Sequence, residues 1–136
     1  MTIESNIEAA LFAHVLALDI DGDPPLAWPN VEFTPPAGPY IRVDHFRNAN
    51  GRLFLKGSDP HLRQGILQLT VVTPLHGGPS LATGLAGSIA EHFPADLALF
   101  EEGTKVRIQA APDVMSFDKT DVSYDCPVSV RYEALI

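Results

Sequence analysis

The sequence predicts an α+β fold: a largely antiparallel or mixed sheet of about five strands, with two helices packed on one face. Three observations predict it. From Val122 to Ala134 every second residue is apolar or aromatic (Val122, Tyr124, Cys126, Val128, Val130, Tyr132, Ala134), while Ser123, Asp125, Pro127, Ser129, Arg131 and Glu133 fill the alternate places. That period of two is one long strand with a buried face and a wet face. Two other stretches carry apolar residues at helical spacing, Ile3–Leu18 and Leu81–Phe93. The resulting order of helix, three strands, helix, two strands shows neither βαβ alternation nor an internal repeat.

The first helix, residues 3–18, buries Ile3, Ile7, Leu11, Val15 and Leu18, with Ala10 and His14 beside the stripe. Glu4 and Glu8 suit its positive N-terminal end. Residues 19–38 hold Pro24, Pro25, Pro29, Pro35, Pro36, Gly22 and Gly38, which exclude a helix and give a long, stiff loop. Trp28 and Phe33 in this loop either pin it to the domain or form a contact surface.

Alternation predicts strands at 39–48 and 52–57, joined as a hairpin across Asn50-Gly51. Asp59-Pro60 breaks the chain, and Leu67, Leu69 and Val71 mark a third strand over 63–73. Gly77, Gly78 and Pro79 turn the chain and Ser80 caps the second helix, whose buried side is Leu81, Leu85, Ile89 and Phe93. Ala82, Gly84, Ala86, Gly87 and Ser88 make it small-sided, so that a backbone of its own sheet or of a neighbouring subunit can approach closely. Residues 105–110 form a fourth strand, and 122–134 the last. Pro127 in that last strand points to a bend or a partly edge position, and an open edge points to assembly.

The 136 residues fit a single domain spanning 1–136, with one hydrophobic core. No apolar run approaches the length of a membrane helix, and the N-terminus lacks the positive start of a secretory signal, so a cytoplasmic origin is expected. The single cysteine, Cys126, excludes an internal disulfide and a cysteine-rich zinc site. A net charge of -8 opposes nonspecific affinity for nucleic acid.

No combination of residues amounts to an active site. Asp19, Asp21 and Asp23 imitate the start of a calcium loop, but Pro24 stands where glycine is needed and Asn30 where a bidentate Glu is needed. The five histidines show no pair at three- or four-residue spacing, although His61 and His76 flank one strand and could converge. Ser58, Asp59 and His61 lack a nucleophile elbow, and Gly77-Gly78 lacks the Lys of a phosphate loop. The residues imply no cofactor and no metal.

Taken together, Trp28-Pro29-Asn30 with Phe33, Pro35 and Pro36, YIRV from Tyr40, RQGILQLTV from Arg63, the small-residue helix and YDCPVSVRY from Tyr124 resemble the tail terminator-like proteins of long-tailed phages, prophages and gene transfer agents. The resemblance covers nearly the whole chain. It implies a fold like that of the lambda tail terminator, a noncatalytic subunit that closes into a hexameric ring. Such a ring caps the tail tube, stops tail polymerisation and offers a face to the head connector. The implied partners are further copies of the chain, the major tail tube protein and the head-tail connector proteins, with DNA passing through the lumen without specific binding. The implied location is the virion tail or neck, after assembly in the host bacterial cytoplasm. Candidate subunit or tail contacts are Trp28, Phe33, Tyr40, Arg42, Arg63, Gln68 and Arg131. Arginines on strands can pair with carboxylates across a subunit boundary. Other neck or tail-completion proteins, or a small ligand-binding module, are the alternatives.

Overall fold

The computed structural model describes residues 2–136. Its elements, in chain order, are α1 (Ile3–Leu16), β1 (Leu26–Ala27), β2 (Tyr40–Arg47), β3 (Gly51–Arg52), β4 (His61–Pro74), α2 (Ser80–His92), β5 (Ala98–Glu101), β6 (Thr104–Ile108), β7 (Asp113–Val114), β8 (Asp118–Lys119) and β9 (Ser123–Leu135). The strands form one sheet in the order β1-β2-β4-β9-β6-β5, with β3 on β4, and β7 and β8 on β9. Only β1 runs parallel to its neighbour, β2. The α+β class and the mixed, largely antiparallel sheet follow the expectation. The nine strands exceed it, because the additions are short pieces.

The long last strand is not at an edge. β9 pairs with β4 without interruption from Leu62↔Leu135 to Pro74↔Ser123, so it lies in the middle of the sheet. Pro127 is accommodated by direction. Its carbonyl accepts from the Met115 N–H, so its ring nitrogen also faces away from β4, toward the flank that β6, β7 and β8 share. The ladder with β4 therefore loses nothing. The buried face of β9 runs as expected from Cys126 through Ala134, whereas Val122 lies before the strand and is 82% exposed.

Register puts Ile41, Val43, Leu67, Leu69, Val71, Cys126, Val128 and Val130 on one face, with Val106 and Ile108 from β6. The helices lie against that face. α1 contributes Ile7, Ala10, Leu11 and Val15, and α2 contributes Ala82, Leu85, Ala86 and Ile89, followed by Phe93. At about 1.5–3 kcal/mol for each large apolar side chain fully buried, this face dominates the stability of the fold. The first helix starts on a capping box between Thr2 and Ser5 and ends two residues earlier than the periodicity suggests. In α2, Pro79 takes the cap position and Ser80 is the first helical residue. Leu81 faces water and Ala82 takes its place inside.

The Asn50-Gly51 hairpin does not form. β2 pairs with β4 instead, from Tyr40↔Val72 to Arg47↔Gly65, and β3 resumes on the same partner at Gly51↔Leu62. Residues 48–50 therefore oppose only 63 and 64, which is a bulge in one long strand rather than a turn. Residues 53–57 are a loop, not a strand. The tight hairpin is elsewhere, at Glu102-Gly103 between β5 and β6, where both residues have the positive φ that a type I′ turn requires (47° and 78°).

Among the described residues no helix is long and apolar enough to cross a membrane.

Candidate interaction surfaces

The inner face of the sheet carries a polar network centred on a histidine. His45 on β2 points toward the helices, its Nδ1 3.0 Å from the Glu8 carboxylate on α1 and its Nε2 2.6 Å from the Tyr132 hydroxyl on β9. A carboxylate only accepts, so Nδ1 donates to it. Gly65 lies opposite both strands, where a Cβ would fall 2.5 Å from the Phe46 carbonyl and 2.6 Å from the Tyr132 hydroxyl. Glycine is what lets that hydroxyl reach His45. Burial pushes the Tyr132 phenol up to about 12, so it stays a proton donor at neutral pH. The trio spans α1, β2 and β9 and serves as a brace, with no nucleophile attached.

A second brace joins the ends of the helices. His14 and His92 stack with ring centroids 3.9 Å apart, and each Nε2 donates to the other's backbone carbonyl, at 2.6 and 2.7 Å. Neither ring keeps that nitrogen for a metal. His61 and His76 do not converge, because His61 opens β4 and His76 lies past its other end. No group of three or more metal-ligating side chains comes together among the described residues.

The outer face of the sheet is different in kind. Tyr40, Arg42, Asp44 and Phe46 of β2 share it with Gln64, Ile66, Gln68 and Val72 of β4 and with Ser129 and Arg131 of β9. Phe46 is 52% exposed and Ile66 36%; the exposed Arg131 stands opposite Ile66, and the exposed Arg42 lies beyond Asp44 on the strand of Phe46. Arg42 pairs with Asp44 at 3.5 Å and Arg131 with Asp113 at 3.3 Å, both in water, where such pairs are worth at most about 1 kcal/mol. Thus four of the seven candidate contacts, Tyr40, Arg42, Gln68 and Arg131, fall on one face. The sequence did not link them, because only the β2–β4–β9 register brings them together.

The other three divide. Arg63 lies on the helix side of β4 and binds Glu4 of α1 at 2.7 Å. Trp28 is half-buried, with its ring 5.0 Å from Phe12 of α1, which pins the loop to the helix. Phe33 packs 5.0 Å from Tyr40 and so belongs to the outer-face side. Leu53 and Leu55, whose alternation suggested a strand, instead crown the loop between β3 and β4 together with Phe54, and all three are exposed.

Comparison with known proteins agrees with a structural rather than catalytic reading of these surfaces. A solved structure superposes with a TM-score of 0.79 at 26% identity, covering 98% of this chain and 96% of that one. No curated protein sequence matches the chain. A sequence-family model described as "Phage tail terminator protein" matches residues 6–132, from the first turn of α1 to the brace tyrosine of β9. With all but the extreme ends of the chain matched, the protein belongs to the phage tail terminator family.

Proposed function

We propose that this chain, folded as a single domain, is the subunit of a closed ring that caps the tail tube, stops its polymerisation and presents the surface to which the head connector joins. Family membership carries the coarser statement, that this is a structural protein of tail completion, found in the virion tail or neck and in contact with other tail and head proteins. The ring, its six-fold size and the identity of the partners belong to the proposal. So does a host bacterial cytoplasm as the place of assembly.

The observation that supports assembly most directly is the outer sheet face, where Phe46 and Ile66 stay in water beside Arg131 while the opposite face of the same strands is buried under the helices. Tyr40, Arg42, Gln68 and Arg131 are the contacts proposed there, with Phe33 at its margin. Trp28 and Arg63 are proposed to act through the loop and helix they hold. A net charge of -8 suits a channel that DNA must traverse without being gripped.

The test is the mass of the purified protein by size exclusion with light scattering, alone and with tail tube protein. A ring-sized species alone, or on tubes whose growth then stops, is the expected result. A chain that stays monomeric and leaves tube growth unchanged sinks the proposal.

A further inference from the structure

We propose that neighbouring subunits join head to tail, the Phe54-Leu55 tip of one chain seating in the groove beside Val122 of the next. This rests on the ring reading above and names its contact.

The tip is a built feature. The loop between β3 and β4 carries its apolar residues outward, with Leu55 95% exposed, and the Arg52 side chain folds back to hold it. The Arg52 guanidinium donates to the Phe54 carbonyl at 3.3 Å and the Leu55 carbonyl at 2.5 Å, and the Asp59 carboxylate accepts from the Lys56 N–H at 3.1 Å. A loop fixed by its own polar groups, yet presenting Phe and Leu to water, is preorganised for a partner.

The receptor lies at the other end of the same sheet. Pro35, Pro36, Tyr40, Val72 and Val122 line a groove of about 360 Å³. Val122, on its rim, is one of the most exposed apolar residues of the chain. The tip cannot fill the groove of its own chain. β4 separates the two features by about 40 Å, whereas an eight-residue loop tethered at both ends reaches only about 14 Å.

Charge favours a second copy as occupant. Arg52 and Lys56 flank the tip and outnumber Asp59, whose carboxylate is turned onto the Lys56 N–H, while Asp121 precedes Val122 on the groove rim and Glu32 lies three residues before Pro35, with Lys119 on the far side of Pro74. Like tips or like grooves would repel, whereas tip against groove attracts. Two different patches at opposite ends of one subunit make a heterologous contact, which closes into a ring when its rotation allows.

The experiment uses Leu55→Asp and Val122→Asp, two exposed positions where the fold has little to lose, with circular dichroism as the folding check. Each variant alone is expected to run as a monomer where the wild type is a ring, whether alone or on tail tube protein. Mixed one to one, they are expected to form a species of two chains, because the intact groove of the first accepts the intact tip of the second and neither free end can extend. Rings that persist in either variant, or a mixture that stays monomeric, overturn the tip-to-groove contact while leaving the ring reading intact. A wild-type chain that never assembles, with or without tube protein, overturns both.

Discussion

Gly65 shows how much one missing carbon can decide. Its absent side chain leaves room for the Tyr132 hydroxyl, and one of the atoms a Cβ would meet is the backbone carbonyl of Phe46, which cannot swing away. Gly65→Ala is therefore expected to cost about 1–3 kcal/mol by overpacking, and to release Tyr132 from His45. A denaturant midpoint equal to that of the wild type would show that the brace has slack. The stacked histidines give a second prediction. Burial is the largest influence on His14 and lowers its pKa from 6.5, against its hydrogen bond to the His92 carbonyl. The fold favours the uncharged ring, so the stability it supports is fully present above pH 6.5 and is lost as pH falls through 6.5 toward the lower folded value. The melting temperature should fall between pH 7.5 and 5.5, and His14→Gln should flatten that slope. An unchanged slope in the variant would place the acid sensitivity elsewhere.

At the scale of elements, legibility followed length. β4 and β9 are long enough to show a period of two, and their inner faces are those the sequence marks. β1, β3, β7 and β8 are two residues each, too short for any periodicity, and their pairing is imposed by the strands they lie beside. Asn50-Gly51 misled because its turn chemistry was compatible with a bulge once β4 offered β2 a better partner, whereas Glu102 gave no sign that it would accept a positive φ. The candidate contacts were legible one at a time, but the outer face that unites four of them was not, since register is a tertiary fact. Two elements carry predictions. In α2, a Cβ at Gly84 or Gly87 would meet nothing within 4 Å, so the glycines serve no close approach inside the subunit. Gly84→Ala and Gly87→Ala should each raise stability by about 0.5–1 kcal/mol, read from thermal unfolding of the monomer. A loss instead would reveal a contact on that helix face. In the proline loop, Trp28→Ala should cost about 2 kcal/mol, around half of what a fully buried tryptophan loses. Retained stability with lost assembly would transfer Trp28 from pinning to the interface.

At the scale of the whole molecule, β9 is the element through which the others communicate. It borders β4 along its length, accepts β6, β7 and β8 on its other flank, and lies under α2. Its inner residues Cys126, Val128 and Val130 are completely buried, and the brace tyrosine follows two residues later. Once β9 is lost, β7 and β8 have no partner in the sheet, and β5 and β6 keep only each other. The wild-type chain should therefore unfold in one transition, with near- and far-ultraviolet circular dichroism changing together. Val130→Asp tests the same dependence from the other side. A carboxylate at this position would be shut away from water opposite Leu67 in the apolar core, and a penalty of several kcal/mol is comparable to the whole stability of a small domain. The variant should be unfolded throughout, including β5 and β6 at the far margin. A soluble variant that keeps native far-ultraviolet signal would mean that the sheet tolerates a gap at its centre. Such tolerance would also weaken the case for assembly, because a tip and a groove about 40 Å apart hold a fixed mutual angle only if the strands between them behave as one rigid body.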